Sequence, residues 1–282
     1  MLQNNANNVF SILLKFLAFS TISVFSCNAA SQDYPALTTD QKEWLADQIY
    51  RNECNRNPDC LTAWNSGENF PSMGIGHFIW YPRDRNDIYE ESFPALMTYM
   101  LDHGISIPAW IMANNLDAPW DSRQAFLADQ DSERLRNLRL FLQEHKRLQL
   151  DFIVSRFDSA LADIMTSIQQ EGMGSAARQE LSAKLHGHFY AVANASPPHG
   201  LYALIDYVNF KGTGVSPHEA YNGRGWGLKQ VLLEMESSDD PLAAFISSAR
   251  ITLARRVDNA PPERNEGRWL EGWYNRLTTY QP

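Results

Sequence analysis

The spacing of apolar residues along the chain predicts that most of it is helical. Thr38 followed by Gln41 has the pattern of a capping box, and the positions after it predict a first helix that runs to about Cys54. Apolar residues recur every three or four positions in much of the remaining chain. They predict further helical segments over residues 96–101, 122–142, 145–170, 180–193, 201–210, 228–235, 241–253 and 266–280.

A short segment between the first two helices has a different pattern. Residues 55–72 are rich in Asn, Pro, Ser and Gly and are predicted to be a loop, whereas residues 73–80 are aromatic and punctuated by glycine. We therefore expect an α+β fold that is predominantly α-helical, with one small β-hairpin near residues 70–82. From Ser31 onward there is no internal repeat, low-complexity tract or long linker, so residues 31–282 are predicted to form a single domain.

The amino terminus has the features of an export signal. The apolar stretch 16–25 is too short to span a bilayer and is typical of the central region of a signal peptide, here residues 1–30. Val24-Phe25-Ser26-Cys27 is also similar to a lipobox, in which case Cys27 would carry a lipid. We expect an exported protein, periplasmic or secreted, for which lipidation of Cys27 is the one conceivable membrane anchor. A buried amino-terminal helix is the alternative, but it would need a partner for Lys15.

The cysteines agree with export. Cys27 belongs to the leader, which leaves Cys54 and Cys60 as an even pair that closes a short loop. In an oxidising compartment such a pair is expected to form a disulfide. A metal site is the competing interpretation, and the absence of a nearby histidine in the sequence disfavours it.

Composition narrows the classes of function. The chain has 282 residues, of which 44% are hydrophobic, as expected for a globular protein with a full core. Lys and Arg number 24 against 33 Asp and Glu, which gives a net charge of -9 and disfavours a nucleic-acid partner. Walker, dinucleotide-binding and Gly-x-Ser-x-Gly motifs are absent from the sequence, and we expect no cofactor.

The chemistry of the chain centres on Glu53. It ends the first predicted helix, and Gly74-Ile75-Gly76-His77 comes after a polar loop. This arrangement resembles the phage-type lysozymes of glycoside hydrolase family 24, whose catalytic glutamate ends the first long helix and precedes a hairpin with a Gly-(Ile/Tyr)-Gly-His motif. The resemblance covers about thirty residues and implies a lysozyme-like fold, with Glu53 as the general acid.

A general acid must hold a proton until the leaving oxygen takes it. Apolar surroundings of the carboxyl group and the partial negative charge at the carboxyl end of a helix both favour the neutral acid. We therefore expect the pKa of Glu53 to be raised. The alternative is a solvated glutamate at a helix end.

The second catalytic group is harder to identify from the sequence. The resemblance places the family's second carboxylate at Ser66, which has no carboxyl group, and its hydroxyl residue at Ser72. Glu68 is the nearest carboxylate and becomes a catalytic candidate, with Ser72 as a holder of water; Asp59 is a poorer one because it lies in the cysteine loop. In the family the motif histidine pins the hairpin, so His77 is expected to be structural.

A second glycine-rich segment, residues 220–230, is expected to bind substrate. Tyr221, Arg224, Trp226 and Gln230 are similar to the Tyr-x-Gly-Arg-Gly-x-x-Gln segment of chitinases, and Gly-Leu-x-Gln is similar to a motif of lytic transglycosylases. Aromatic rings and an amide suit a sugar platform. A tight glycine turn around a core tryptophan is the alternative.

Two minor features have simpler explanations. His186 and His188 suggest a metal, but alternate positions on a helix point apart, and we expect no metal site. Near the carboxyl end, Arg264, Trp269 and Trp273 offer local cations and rings, which an amphipathic helix also explains.

Together these features predict an exported lysozyme-like glycosidase that acts on peptidoglycan or a related N-acetylhexosamine polymer. Lytic transglycosylation would tolerate the missing second carboxylate. The alternative function is a non-catalytic envelope protein that uses the same scaffold to bind glycan or a protein partner.

Overall fold

The first helix, α1 (Thr39–Cys54), begins at a complete cap in the computed structural model, which describes residues 34–85, 87 and 89–282. Thr38 Oγ1 accepts a 3.2 Å hydrogen bond from the backbone of Gln41, whose side chain accepts one of 2.9 Å from the backbone of Thr38. The predicted capping box and helix end are therefore confirmed. The predicted leader, residues 1–30 with Cys27, lies outside the described residues.

Ten more α-helices are present in the described part of the chain, in agreement with the predominantly helical prediction. They are α2 (Phe93–Asp102), α3 (Ala109–Ala113), α4 (Arg123–Asp129), α5 (Glu133–Glu144), α6 (Lys146–Gln170), α7 (Ser175–Ala193), α8 (His199–Lys211), α9 (Leu228–Glu234), α10 (Pro241–Asn259) and α11 (Gly267–Thr278).

The expected single helix over residues 122–142 is two helices. Ser122 caps α4 by accepting from the backbone of Ala125, and Ser132 caps α5 by accepting from the backbone of Leu135. A serine whose side chain binds the backbone in this way starts a new helix rather than continuing the old one. The periodicity of apolar residues runs across this break and therefore concealed it.

A small antiparallel sheet comes after α1. Its three strands pair in sequence order, β1 (Thr62–Ala63), β2 (Ser72–Met73) and β3 (Phe78–Ile79). Strands β2 and β3 form the hairpin that the sequence predicts, while β1 lies in a segment that was expected to be loop. A second antiparallel pair, β4 (Ala220–Tyr221) and β5 (Arg224–Gly225), was also missed because each strand has only two residues.

The turn between β2 and β3 is fixed against α6. Gln149 is buried; its side-chain oxygen accepts from the backbone of Ile75 at 2.9 Å, and its amide donates to the carbonyl of Leu142 at 2.6 Å. Gly74 has φ 72°, and a Cβ there would collide with Gln149. His77 has φ 48°, an uncommon conformation for a residue with a side chain, which aims its ring back toward α1.

The core is built around α6 and α8. Helix α1 packs on α6, and α10 packs on α11. Every side chain from Leu201 to Tyr207 on α8 is buried, and residues Asp33–Pro282 form one compact unit. As a result the end of α1, the middle of α8 and the end of α11 meet inside the protein. Among the described residues, no helix is both long and apolar enough to cross a bilayer.

Candidate functional site

Glu53 lies where these three helices meet. Its Oε1 accepts a 2.7 Å hydrogen bond from Arg276 Nη2, and its Oε2 is 3.6 Å from His77 Nδ1. The side chain is 14% exposed, so it is neither sealed in the core nor open on a helix surface. The alternative of a solvated helix-end glutamate does not describe this environment.

Arg276 is held by a second carboxylate. Its guanidinium binds Asp206 through two hydrogen bonds of 2.8 Å, from Nε and from Nη2, and Asp206 is fully buried. Tyr280 donates a further 2.7 Å bond to Asp206. A two-bond arginine–carboxylate pair has a defined orientation, so Arg276 meets Glu53 in a fixed geometry.

The residue before Glu53 extends the same network. Asn52 donates to the hydroxyl of Tyr202 at 2.7 Å, and that hydroxyl lies 2.9 Å from Thr279 Oγ1. These contacts join α1, α8 and α11 on a second side. The end of α1 is therefore positioned by polar contacts as well as by apolar packing.

The electrostatics of Glu53 differ from the expectation. Burial acts to raise its pKa and is the largest single influence, but Arg276, His77 and Lys211 together hold the pKa below its usual value. The expected raised pKa is therefore wrong. The reason is that cations from other parts of the fold, first among them Arg276 more than two hundred residues further along the chain, together outweigh burial.

Lys211 is a buried cation that the sequence analysis did not single out. Its Nζ is 3.5 Å from the ring centroid of Trp273 and 3.9 Å from that of Phe210, and the residue is 8% exposed. Burial, Arg256 and Arg276 lower its pKa well below the usual value. Its amine extends the cluster of ionisable groups around Glu53.

An open cleft of about 890 Å³ adjoins Glu53. One wall is the loop 65–70 with Ser72, and the other carries Arg264, Arg268 and Trp269. His77 lines this cleft, so Glu53 lies one side chain away from it. The structure thus brings four of the predicted residues together: Glu53, Glu68, Ser72 and His77.

Glu68 and Ser72 lie on the same wall of the cleft. Glu68 accepts a 3.1 Å hydrogen bond from Asn65, and burial raises its pKa although Asn65 and His77 act in the opposite direction. Ser72 is nearly buried in β2. The pKa values of the two carboxyl groups are therefore shifted in opposite directions: that of Glu68 on the cleft wall is raised, and that of Glu53 behind His77 is lowered.

The second predicted patch does not reach the cleft. Trp226 is 6% exposed, and the guanidinium carbon of Arg256 sits 4.0 Å from its ring centroid. Gln230 donates to the carbonyl of Gly214 at 3.0 Å. Both side chains are engaged inside the protein, and these are the surroundings expected of the alternative, a tight turn around a core tryptophan.

The other two residues of that patch also have structural surroundings. Tyr221 donates a 2.8 Å hydrogen bond to Glu266, which is buried and also accepts from Arg256 and Arg264. Arg224 is exposed on β5. Tyr221 therefore helps to fix the segment that precedes α11, which is the far wall of the cleft.

The exposed aromatic residues of the cleft lie elsewhere. Trp269 is 39% exposed, with the guanidinium carbon of Arg268 4.4 Å from its ring centroid, and Tyr89 is 42% exposed. Both line the cleft. The amphipathic pattern of the last helix contained this signal, but the pattern alone did not show which tryptophan faces outward.

The predicted disulfide is confirmed. Cys54 and Cys60 are bonded, with their Cα atoms 5.4 Å apart. His77 Nε2 is 3.2 Å from Cys60 Sγ and 3.6 Å from Cys54 Sγ, so a histidine does lie beside the pair. The hairpin brings it back from seventeen residues beyond Cys60.

His186 and His188 belong to no group of potential metal ligands among the described residues. His188 Nδ1 lies 2.8 Å from the carbonyl of Leu232, and in the described part of the chain the cluster able to share an ion is Cys54, Cys60 and His77.

Comparison of the chain with protein-family models, with curated proteins and with solved structures finds no match in any of the three.

Proposed function

We propose that this chain is a lysozyme-like glycosidase that cleaves peptidoglycan or a related N-acetylhexosamine polymer, with Glu53 as the proton-transferring group. The observation that carries the proposal is the placement of Glu53, held by Arg276 and His77 one side chain from an open cleft with polar and aromatic walls. The proposal includes export, either with residues 1–30 as a cleaved leader or with a lipoprotein leader that ends before Cys27, whose lipid would then be the sole membrane anchor.

Glycoside cleavage needs one group that protonates the leaving oxygen and a second that handles water or the positive centre. The cleft supplies both kinds of group. Glu53 and Glu68 are carboxyl groups whose pKa values His77 acts to lower, and Ser72 lies on the wall with a hydroxyl that can hold water. The serine at position 66 therefore does not leave the site without a second carboxyl group.

Glu53 must gain a proton before it can act as an acid. Burial is already the largest influence on its pKa, and a glycan that fills the cleft and displaces water strengthens that influence. Arg276 keeps two hydrogen bonds to Asp206 when it releases Glu53, so no unpaired charge remains behind. Substrate binding thus favours the protonated acid.

The opposite shifts of the two carboxyl groups favour a second assignment within the same reaction. Groups whose pKa values are pushed apart commonly divide the acid and base roles. Glu68, with the raised pKa, would then give the proton, and the ionised Glu53 would stabilise the positive centre.

The cleft carries charges of both signs, with Arg264 and Arg268 beside Glu68, Asp87 and Glu263. The chain carries a net charge of -9, so an anionic polymer has to be held by local cations. Arg264 and Arg268 supply them beside the exposed ring of Trp269, on which a sugar face can pack.

The test is muropeptide release from purified peptidoglycan sacculi, analysed by mass spectrometry. We expect release by the processed chain and a loss of at least about 100-fold in Glu53→Gln, the usual scale for a lost acid–base group. Glu234→Gln is the matched control, because Glu234 forms an ion pair with Arg255 at 2.9 Å and does not line the cleft. Reducing ends indicate hydrolysis, and anhydro ends indicate transglycosylation.

The Glu68→Gln variant decides between the two assignments. Retained release by Glu68→Gln would exclude Glu68 as the acid and leave Glu53 in that role. The exchanged roles require losses in both Glu68→Gln and Glu53→Gln, because the ionised Glu53 then stabilises the positive centre. Binding of the wild-type chain to sacculi without any release would refute the enzyme and favour the non-catalytic envelope protein, for which Ser66 in place of a carboxylate is the supporting observation.

A further inference from the structure

His77 lies between the cysteine pair and Glu53. Its Nε2 is 3.2 Å from Cys60 Sγ and 3.6 Å from Cys54 Sγ, and its Nδ1 is 3.6 Å from Glu53 Oε2. The two ring nitrogens thus face different partners. Three potential ligand atoms, the two sulfurs and Nε2, lie within 4.8 Å of one another.

The tautomer of His77 decides whether Nε2 offers the sulfurs a proton or a lone pair. A neutral ring that donates from Nδ1 toward Glu53 presents the lone pair of Nε2 to the sulfurs. Disulfide sulfurs have no proton to donate. A metal ion would use that lone pair, and so would a thiol proton.

The distances fit a thiophilic cation once the two sulfurs are free. Zinc sites have Zn–S distances of about 2.3 Å and Zn–N distances of about 2.0–2.1 Å, so tetrahedral ligand atoms lie about 3.5–3.8 Å apart. Both Nε2–sulfur distances, 3.2 and 3.6 Å, are already near this value. Only the two sulfurs have to separate, which is what reduction of the bond does.

The outer contacts of the cluster are also those of a metal site. A histidine that binds a metal through one nitrogen commonly donates its other N–H to a carboxylate, which fixes the ring and makes it more basic. Glu53 Oε2 lies on that side of the ring, 3.6 Å from Nδ1 and just beyond hydrogen-bond distance. The carboxylate in turn accepts from Arg276 at 2.7 Å.

The ligands come from three separately fixed places in the fold. Cys54 ends α1, Cys60 lies in the 3₁₀ turn Pro58–Leu61, and His77 comes after the turn that Gln149 holds against α6. A site whose ligands are held by independent elements needs little rearrangement on binding.

We propose that the reduced chain binds one zinc-type divalent cation through Cys54 Sγ, Cys60 Sγ and His77 Nε2, and that metal binding and disulfide formation exclude each other. A phosphine or dithiol reductant supplies two electrons, and water or the dithiol supplies two protons; the disulfide becomes two thiols and the reductant becomes a phosphine oxide or a disulfide. The cation then displaces both thiol protons, and water completes the fourth position.

The test titrates the full processed chain with Co²⁺ and Zn²⁺ under anaerobic conditions after phosphine reduction. We expect one equivalent to bind, with a thiolate-to-cobalt charge-transfer band that Zn²⁺ bleaches. The oxidised chain is expected to bind none. Glu53→Gln keeps the ligands and removes the outer carboxylate, and it is expected to weaken binding by about 10-fold or more.

His77→Gln is expected to abolish tight binding, whereas His103→Gln, whose ring contacts the carbonyl of Tyr99 on α2, is the matched control and is expected to change nothing. Unaltered binding in His77→Gln, or in the double variant Cys54→Ser/Cys60→Ser, would overturn the proposal. So would a reduced chain that is folded by circular dichroism and binds no metal.

A reduced chain that has lost structure still tests the site. The metal binds the folded site and not the unfolded chain, so its binding free energy stabilises the fold. Zn²⁺ is then expected to restore the helical circular dichroism. Failure to restore it would overturn the proposal. These readouts do not depend on glycan cleavage, so failure of the metal site and failure of the glycosidase proposal are distinguishable.

Discussion

Arg276 donates a 2.7 Å hydrogen bond to Glu53, although 223 positions separate them in the chain. The contact joins the last helix to the first and makes the candidate site a product of the whole fold. Asp206 on α8 is the third member, because it holds the same guanidinium through two bonds. Removal of the arginine would leave two carboxylates facing each other across a space from which water is largely excluded.

Arg276→Met is therefore expected to destabilise the protein by about 3–5 kcal/mol at neutral pH, the usual cost of breaking a buried ion pair from one side. Arg255→Met is the matched control: Arg255 pairs with Glu234 at 2.9 Å near the surface and is expected to contribute about 1 kcal/mol or less. Urea denaturation of both variants measures the difference. Equal losses would contradict the central role of Arg276.

The lowered pKa of Glu53 predicts a definite pH dependence. A carboxyl group whose pKa is lower in the folded than in the unfolded chain adds stability above its ordinary pKa of about 4.3, and that contribution is lost as the pH falls through the lower, folded value. The stability difference between wild type and Glu53→Gln is therefore expected to be largest at neutral pH and to shrink below about pH 4.

The measurement is the free energy of unfolding of both proteins between acid and neutral pH. Glu43→Gln, an exposed position on the same helix, is the control and is expected to show a constant difference. A difference between wild type and Glu53→Gln that grows as the pH falls would show that burial, rather than Arg276, dominates the pKa of Glu53.

Local signals made part of this structure predictable. The cap at Thr38, the end of α1 at Cys54 and the hairpin at residues 72–79 each depend on a few adjacent residues, and all three are as predicted. The disulfide was inferred from the count and spacing of the cysteines. Glu68, Ser72 and His77 lie close to Glu53 in sequence, so their convergence was also within reach.

Contacts between distant segments were not predictable in the same way. No residue near Glu53 in the sequence indicates that Arg276 contacts it. The predicted direction of the shift in the pKa of Glu53 was therefore wrong. The glycine-rich segment at 220–230 showed ring and amide groups but not the burial of Trp226 beneath Arg256. Whether an aromatic side chain is exposed depends on its tertiary packing, which cannot be read from a single sequence.

The two tryptophans Trp269 and Trp226 give a direct test of which one meets glycan. Trp269→Ala is expected to weaken binding of soluble muropeptides by about 2- to 10-fold, the scale of one stacking contact, with little loss of stability. Trp226→Ala is expected to cost about 3–5 kcal/mol of stability, because its ring is buried. Calorimetric titration measures the binding, and thermal denaturation measures the stability. Weaker binding by Trp226→Ala at temperatures where it remains folded would support the predicted sugar-binding role of residues 220–230.

Lys211 gives the last prediction. It faces Arg256 on α10, Arg276 on α11, Glu266 and Glu53, and no ion pair or hydrogen bond between described residues involves its amine. A lysine whose pKa is lower in the folded chain binds fewer protons there than in the unfolded chain. Stability therefore rises with pH between the folded value and the ordinary pKa of about 10.4.

Lys211→Met keeps most of the side-chain volume and removes the proton-binding group, so it abolishes this pH-dependent penalty. The gain in stability over wild type is expected to be about 1 kcal/mol at mildly acidic pH, because burial of an uncompensated cation is relieved while its contact with Trp273 is lost. That gain is expected to decrease as the pH rises. Lys184→Met, an exposed lysine that donates to the carbonyl of Leu233 at 2.7 Å, is the control and is expected to show no such trend. A loss of stability in Lys211→Met that is independent of pH would show that the amine is held charged, with its contacts to the aromatic rings outweighing the cost of burial.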